Sequence, residues 1–158
     1  MLRLRTGLEI LTIMATMMLV AAPALAQAHV GVRAGASADP NQFFFGAHIE
    51  TKEIAPHVTF RPNVEIGFGD DMTALSANFE VVYSIPLKRQ PWRVYVGGGP
   101  AANFYFFNNG SGNGDDTDFG GGINFVGGLQ HRGGFFTEIK FGVIDSPDFK
   151  FTVGYAFR

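Results

Sequence analysis

A period of two residues constrains this chain more than any other feature. Its last stretch, DFKFTVGYAFR, places a large apolar side chain at every second position: Phe149, Phe151, Val153, Tyr155 and Phe157. Between them stand Lys150, Thr152, Gly154 and Ala156. Successive side chains alternate across a β-strand, so this pattern describes a strand with one apolar and one small or charged face. The same alternation recurs upstream, and no helical period of 3.6 is sustained after Ala26. Eight strands are predicted, over residues 29–37, 42–50, 57–68, 73–87, 92–107, 118–130, 134–144 and 148–157.

One face of these strands is apolar nearly throughout, as in Phe60, Pro62, Val64, Ile66 and Phe68, or Phe135, Ile139, Phe141 and Val143. The other carries Arg33, Glu50, Arg61, Glu65, Glu80, Arg93, Glu138, Lys140 and Lys150, mixed with Gly, Ser and Asn. A soluble barrel or sandwich turns the apolar face inward. A transmembrane barrel turns it out to lipid and keeps the polar face inside. Alternation alone allows either.

Three further features favour the transmembrane form. Glycines fall mostly on the polar face, at 35, 46, 67, 97, 99, 120, 122, 128, 142 and 154, where a narrow barrel interior needs small residues. All eight Asp residues (39, 70, 71, 115, 116, 118, 145 and 148) lie in or beside the odd-numbered connections. The even-numbered ones hold Lys52 and Glu53, Lys88 and Arg89, and Arg132. Asp favours turns, but this one-sidedness suits a barrel whose two ends face different compartments. Aromatics gather near strand ends: Phe43 to Phe45, Phe68, Phe104 to Phe107, Phe119 and Phe149 at one, Tyr83, Trp92, Tyr155 and Phe157 at the other. Two interfacial girdles have this layout.

The N-terminus agrees. Arg3 and Arg5 precede a run from Ile10 to Ala22 that is nearly all apolar, followed by Pro23 and Ala24-Leu25-Ala26. This is the pattern of a secretory signal peptide, residues 1–26, cut after Ala26. The run is short of the roughly 20 residues a membrane helix needs. Residues 27–158 then form one domain with 10 basic and 13 acidic side chains, a balance unlike that of a nucleic-acid binder. There is no Cys, which removes disulfides, thiol chemistry and Cys-ligated metal.

The leader, the eight strands and the closing Phe149-x-Phe151-x-Val153-x-Tyr155-x-Phe157 resemble the small bacterial outer-membrane β-barrels of the outer-membrane-protein A and X type. The resemblance implies an all-β, eight-stranded, antiparallel up-and-down transmembrane barrel in the outer membrane. It also implies that Phe149, Phe151, Val153, Tyr155 and Phe157 serve as an assembly signal for the barrel-insertion machinery. Arg158 departs from that pattern, in which the aromatic is usually last. Expected partners are outer-membrane lipid and lipopolysaccharide, and a monomer is expected.

In such a barrel Arg33, Arg61, Arg93, Lys140 and Lys150 meet Glu50, Glu65, Glu80 and Glu138 inside. Buried charges require partners, so this near-balanced set predicts salt bridges that plug the lumen. Enzymatic chemistry has little support. Lipid A deacylases of this size need a Ser nucleophile and a His base in a His-x-Ser sequence, and none of His29, His48, His57 and His131 has Ser two residues on. His48 is expected to point inward beside Glu50 in a structural hydrogen bond. Asp70-Asp71 and Asp115-Asp116-x-Asp118 have carboxylates for a divalent cation, but without the spacing of a calcium loop. They read as solvated loop residues, so neither metal nor cofactor is predicted. The Gly97–Gly99 and Gly120–Gly122 runs lack the following helix and Lys of a phosphate loop. The expected role is envelope integrity or surface interaction through the longest connection, with Asn108, Asn109, Asn113, Asp115 and Asp116 as contacts. The alternatives are a narrow channel for small solutes and a soluble periplasmic lipocalin-like binder with its apolar face inward.

Overall fold

The computed structural model describes residues 12, 16, 28–69, 72–88, 90–107 and 117–158. The expected leader, its cleavage site and the contact residues of the 108–116 connection lie outside the described residues, apart from Thr12 and Thr16. Among the described residues nine strands follow in order: β1 (His29–Ala38), β2 (Gln42–Glu50), β3 (Glu53–Ala55), β4 (Val58–Phe68), β5 (Met72–Ile85), β6 (Trp92–Phe107), β7 (Thr117–His131), β8 (Phe135–Ile144) and β9 (Phe149–Ala156). Eight of them form the barrel. The ninth, β3, is a three-residue return strand that pairs only with the start of β4, where the sequence pattern reads as a plain turn.

Every barrel strand is antiparallel to its neighbours, and two pairings close the sheet. β1 pairs with β9 from Gly31↔Ala156 to Ala38↔Phe149. β2 pairs with β4 from Phe43↔Phe68 to His48↔Asn63. The remaining pairs are sequential hairpin neighbours, which makes an up-and-down barrel with no barrel strand left at an edge. Closure matters physically because an open edge would leave backbone N–H and C=O groups unpaired. At the β7–β8 turn Gly134 adopts φ 102°, a conformation that favours glycine, and its N–H donates to the His131 carbonyl at 2.9 Å.

The apolar faces point outward for most of their length, although Phe60 and Pro62, named above on the apolar face of β4, are buried. Val32, Phe45, Val64, Phe68, Phe125, Phe141, Phe151 and Tyr155 are all exposed, whereas Arg33, Glu65, Glu80, Glu138, Lys140 and Lys150 are buried. Among the described residues, buried polar or charged side chains outnumber buried apolar ones twenty-one to ten, the inverse of a water-soluble core. This disposes of the lipocalin-like alternative, which needs the Phe-rich face inside. Parity also corrects the aromatic girdles. Phe44 lies inside at 2 % exposure, because it shares its face with Gln42, Gly46, His48 and Glu50.

Candidate functional site

The barrel interior is the most chemically organised region among the described residues. Its side chains come from alternate positions of all eight barrel strands, so the pleat aims them at a common axis. Glu65 of β4 receives Arg33 Nη1 at 3.0 Å, Lys140 Nζ at 3.3 Å and Lys150 Nζ at 2.7 Å. Lys140 reaches on to Glu80 Oε1 at 2.7 Å and Glu138 Oε1 at 3.6 Å. Glu138 also faces Arg33 at 3.4 Å and Arg61 at 3.5 Å, and accepts a hydrogen bond from the Tyr95 hydroxyl at 2.8 Å. Arg61 continues to Glu50 at 3.6 Å. Glu50 is in turn met by Arg93 and, at 3.3 Å, by Arg158.

All nine charged residues singled out in the sequence thus meet in one connected set. A tenth, Arg158, joins them. The sequence marks it only as the residue that breaks the terminal aromatic pattern, whereas here its guanidinium reaches back to Glu50. The set holds six cations and four carboxylates, and the excess positive charge lies at the end that carries Arg93 and Arg158.

Neutral residues complete the interior. Gln130 accepts from Arg61 at 3.3 Å and from Arg93 Nε at 3.0 Å, and donates to Glu50 at 2.9 Å. An amide ladder runs from Asn124 to Asn78 at 2.7 Å, Asn78 to Asn63 at 2.8 Å and Asn63 to Glu80 at 3.1 Å. Aromatic faces hold the cations: Arg61 lies 4.4 Å from the Tyr95 ring centre, and Lys150 lies 4.9 Å from that of Phe44. Both Arg33 and Arg61 also approach Phe136, at 5.6 and 5.8 Å. Sequence reasoning missed Gln130, Tyr95, Phe136 and the three Asn residues. For Asn63, Asn78, Tyr95 and Phe136 the signal was available, since each shares the parity of the charges on its own strand; β7, which carries Asn124 and Gln130, has none of those charges to set it.

Two of the inward glycines have a specific task. A Cβ at Gly128 would collide with the Tyr95 ring, and one at Gly154 with the Phe136 ring. They make room for the two aromatics that pack against the arginines, rather than for the charged chains alone. His48 differs from expectation. It is 2 % exposed and points inward, but its ring stands edge-on to Phe136 at 5.1 Å, and neither ring nitrogen has a hydrogen-bond partner. It fills space that Gly31 leaves open.

The expected assembly stretch lies on β9. Phe149, Phe151, Val153 and Tyr155 face outward there, and Phe157 follows the strand. The Tyr155 and Phe157 rings lie 5.4 Å apart. Among the described residues no group of three or more His, Asp or Glu side chains is arranged to hold a metal. Asp70, Asp71, Asp115 and Asp116 lie outside those residues.

A second feature sits at the barrel end that carries both strand termini, His29 and Ala156. A cavity of about 520 Å³ is lined by Pro86, Leu87, Gln90, Pro91, Trp92, Arg93, Arg132 and Arg158. The Arg132 N–H donates to the Pro91 carbonyl at 2.8 Å, which ties the β5–β6 and β7–β8 turns together around it.

No protein-family model matches the chain, and no curated protein matches its sequence. Solved structures do. The N-terminal β-barrel domain of Pseudomonas aeruginosa OprF superimposes with a TM-score of 0.60 at 15 % identity, covering 83 % of this chain and 98 % of that one. Neisserial surface protein A gives 0.63 at 10 % identity, with 82 % and 96 % covered. PagL, an outer membrane enzyme, gives 0.50 at 12 % identity, with 82 % and 99 % covered. At these identities the likeness is one of fold. Closed, antiparallel, polar inside and apolar outside, the chain has the fold of the small eight-stranded outer-membrane β-barrels, the architecture of the outer-membrane-protein A and X type.

Proposed function

We propose that this chain is an integral protein of the bacterial outer membrane, exported on a leader cleaved after Ala26, whose lumen is sealed and whose role is structural or interactive rather than catalytic. One observation carries this reading: a connected ion-pair network lies inside a barrel whose outer wall exposes large apolar side chains. Only lipid accommodates such a wall, and only satisfied partners stabilise such an interior. The end with both strand termini faces the periplasm. β6 ends and β7 begins at the opposite end, and the surface contacts assigned to the sequence between them are Asn108, Asn109, Asn113, Asp115 and Asp116. The barrel-insertion machinery would read Phe149, Phe151, Val153, Tyr155 and Phe157 during assembly, and lipopolysaccharide would surround the mature monomer.

PagL shows that an enzyme can be built on this fold. In this chain the candidate bases are placed badly for chemistry at the lipid-facing wall. His48 is inside the lumen, and His29, His57 and His131 lie at the terminus end. This supports a non-enzymatic role.

Two measurements test the reading. Envelope fractionation followed by gel electrophoresis, with and without boiling, should show a boiling-dependent mobility shift in the outer-membrane fraction. A protein released by osmotic shock with no shift would end the membrane reading. Reconstitution into planar bilayers should give no stepwise conductance, whereas regular steps would replace the sealed lumen with the narrow channel.

A further inference from the structure

We infer that the cavity at the terminus end is a seat for an anionic phospholipid, with the phosphate on Arg132 and Arg158 and the glycerol and upper acyl chain along Leu87 and Trp92. This rests on the reading above, that the barrel spans the outer membrane with this end at its inner leaflet.

Charge supplies the first argument. Arg93 and Arg158 share a single carboxylate, Glu50, which Arg61 also approaches. Their side chains are about one-third exposed, unlike the fully buried cations deeper inside. Arg132 has no ion pair among the described residues, and it lines the same cavity. Positive charge therefore exceeds negative at this mouth, in a concavity where an anion can reach three guanidiniums. Arg is the side chain best suited to phosphate, because its planar fork donates two parallel hydrogen bonds.

The rim supplies the second. Leu87 and Trp92 are exposed, and the Trp92 ring is held edge-on by His131 at 4.9 Å and Phe135 at 6.3 Å. Trp at a strand end is an interfacial residue, with its apolar body at headgroup depth. Pro86 and Pro91 stiffen the wall between. The cavity thus presents guanidiniums at its inner side and apolar surface at its membrane side. A free inorganic anion would use only the first half; a phospholipid matches both.

The test uses the full mature chain, refolded in detergent micelles and offered equal amounts of dimyristoyl phosphatidylglycerol and dimyristoyl phosphatidylcholine, with bound lipid counted by native mass spectrometry. Phosphatidylglycerol should be retained in preference. Arg132→Gln, which leaves the interior network intact, should lower that preference roughly fivefold, the effect of one surface arginine on anionic lipid. Arg158→Gln should lower it at least as far. Lys52→Gln removes an exposed cation at the same end but outside the cavity, and should change little. Equal retention of the two lipids would overturn the proposal. So would an equal loss in Lys52→Gln, or complete displacement by inorganic phosphate at millimolar concentration, which would mark a site for a free anion. Boiling-dependent gel mobility of each variant separates the two readings. Lost preference with the shift intact removes only the lipid seat, and a missing shift in the parent protein removes the membrane barrel itself.

Discussion

Lys150 and Phe151 are neighbours in β9 and occupy opposite solvents. Lys150 is 6 % exposed, bonded to Glu65 and laid over Phe44, while Phe151 is 46 % exposed on the outer wall. The same contrast holds for Glu138 beside Ile139 and for Lys140 beside Phe141. The inner face is specified pair by pair, because each buried charge needs a particular partner at a particular distance. The outer face is specified only by class, since any apolar side chain suits hydrocarbon. The two faces should therefore respond very differently to substitution.

The largest effect is expected inside. Glu138→Ala would leave Arg33, Arg61 and Lys140 short of a shared carboxylate and Tyr95 without its acceptor. Breaking such a pair from one side costs about 3–5 kcal/mol, to be read from urea unfolding in vesicles. A smaller loss, under about 1 kcal/mol, would mean that water screens the interior and that the network is not sealed. Next comes a charge on the outer wall. Phe125 lies midway along β7 and is exposed, so Phe125→Lys should cost about 2–4 kcal/mol if that wall meets the bilayer centre. The same change would be harmless, or even solubilising, if it met water.

Third is the space between aromatics. Gly128→Val would drive a side chain into Tyr95, with an expected cost of about 1–3 kcal/mol from overpacking. Gly127→Val at the adjacent outward position should cost far less, because a Cβ there meets nothing within 4 Å. The pair of variants compares the two faces one residue apart. The smallest effect is expected from Phe151→Leu, a swap of one apolar chain for another on the outer wall, at less than about 1.5 kcal/mol.

Much of this organisation is legible in the sequence. The period of two gave each of the eight barrel strands, and its apolar phase gave the wall. The phase also separated Arg33, Glu65 and Lys140 from their apolar neighbours, so the nine interior charges could be named without a structure. The short β3 was not legible, because three residues carry too little alternation to stand out from a turn. Phe44, Tyr95 and Phe136 were not separated from the wall aromatics by type, although their parity placed them inside. Residue type alone misleads here, since an aromatic serves lipid outside and guanidinium inside.

What the sequence determined by itself is an alternation, and with it the assignment of every strand residue to one of two faces, because the pleat of a strand has a fixed period. Which face turns inward was favoured by the glycines, the Asp-bearing connections and the leader-like pattern of the N-terminal sequence, but closure decided it. Closure also decided the partners. Glu65 and Lys150 are 85 residues apart in sequence and 2.7 Å apart in the lumen. Arg158 reaches Glu50 across 108 residues. Such contacts depend on the tilt and stagger with which eight strands meet around an axis. Those are properties of the closed sheet as a whole, and no single strand encodes them.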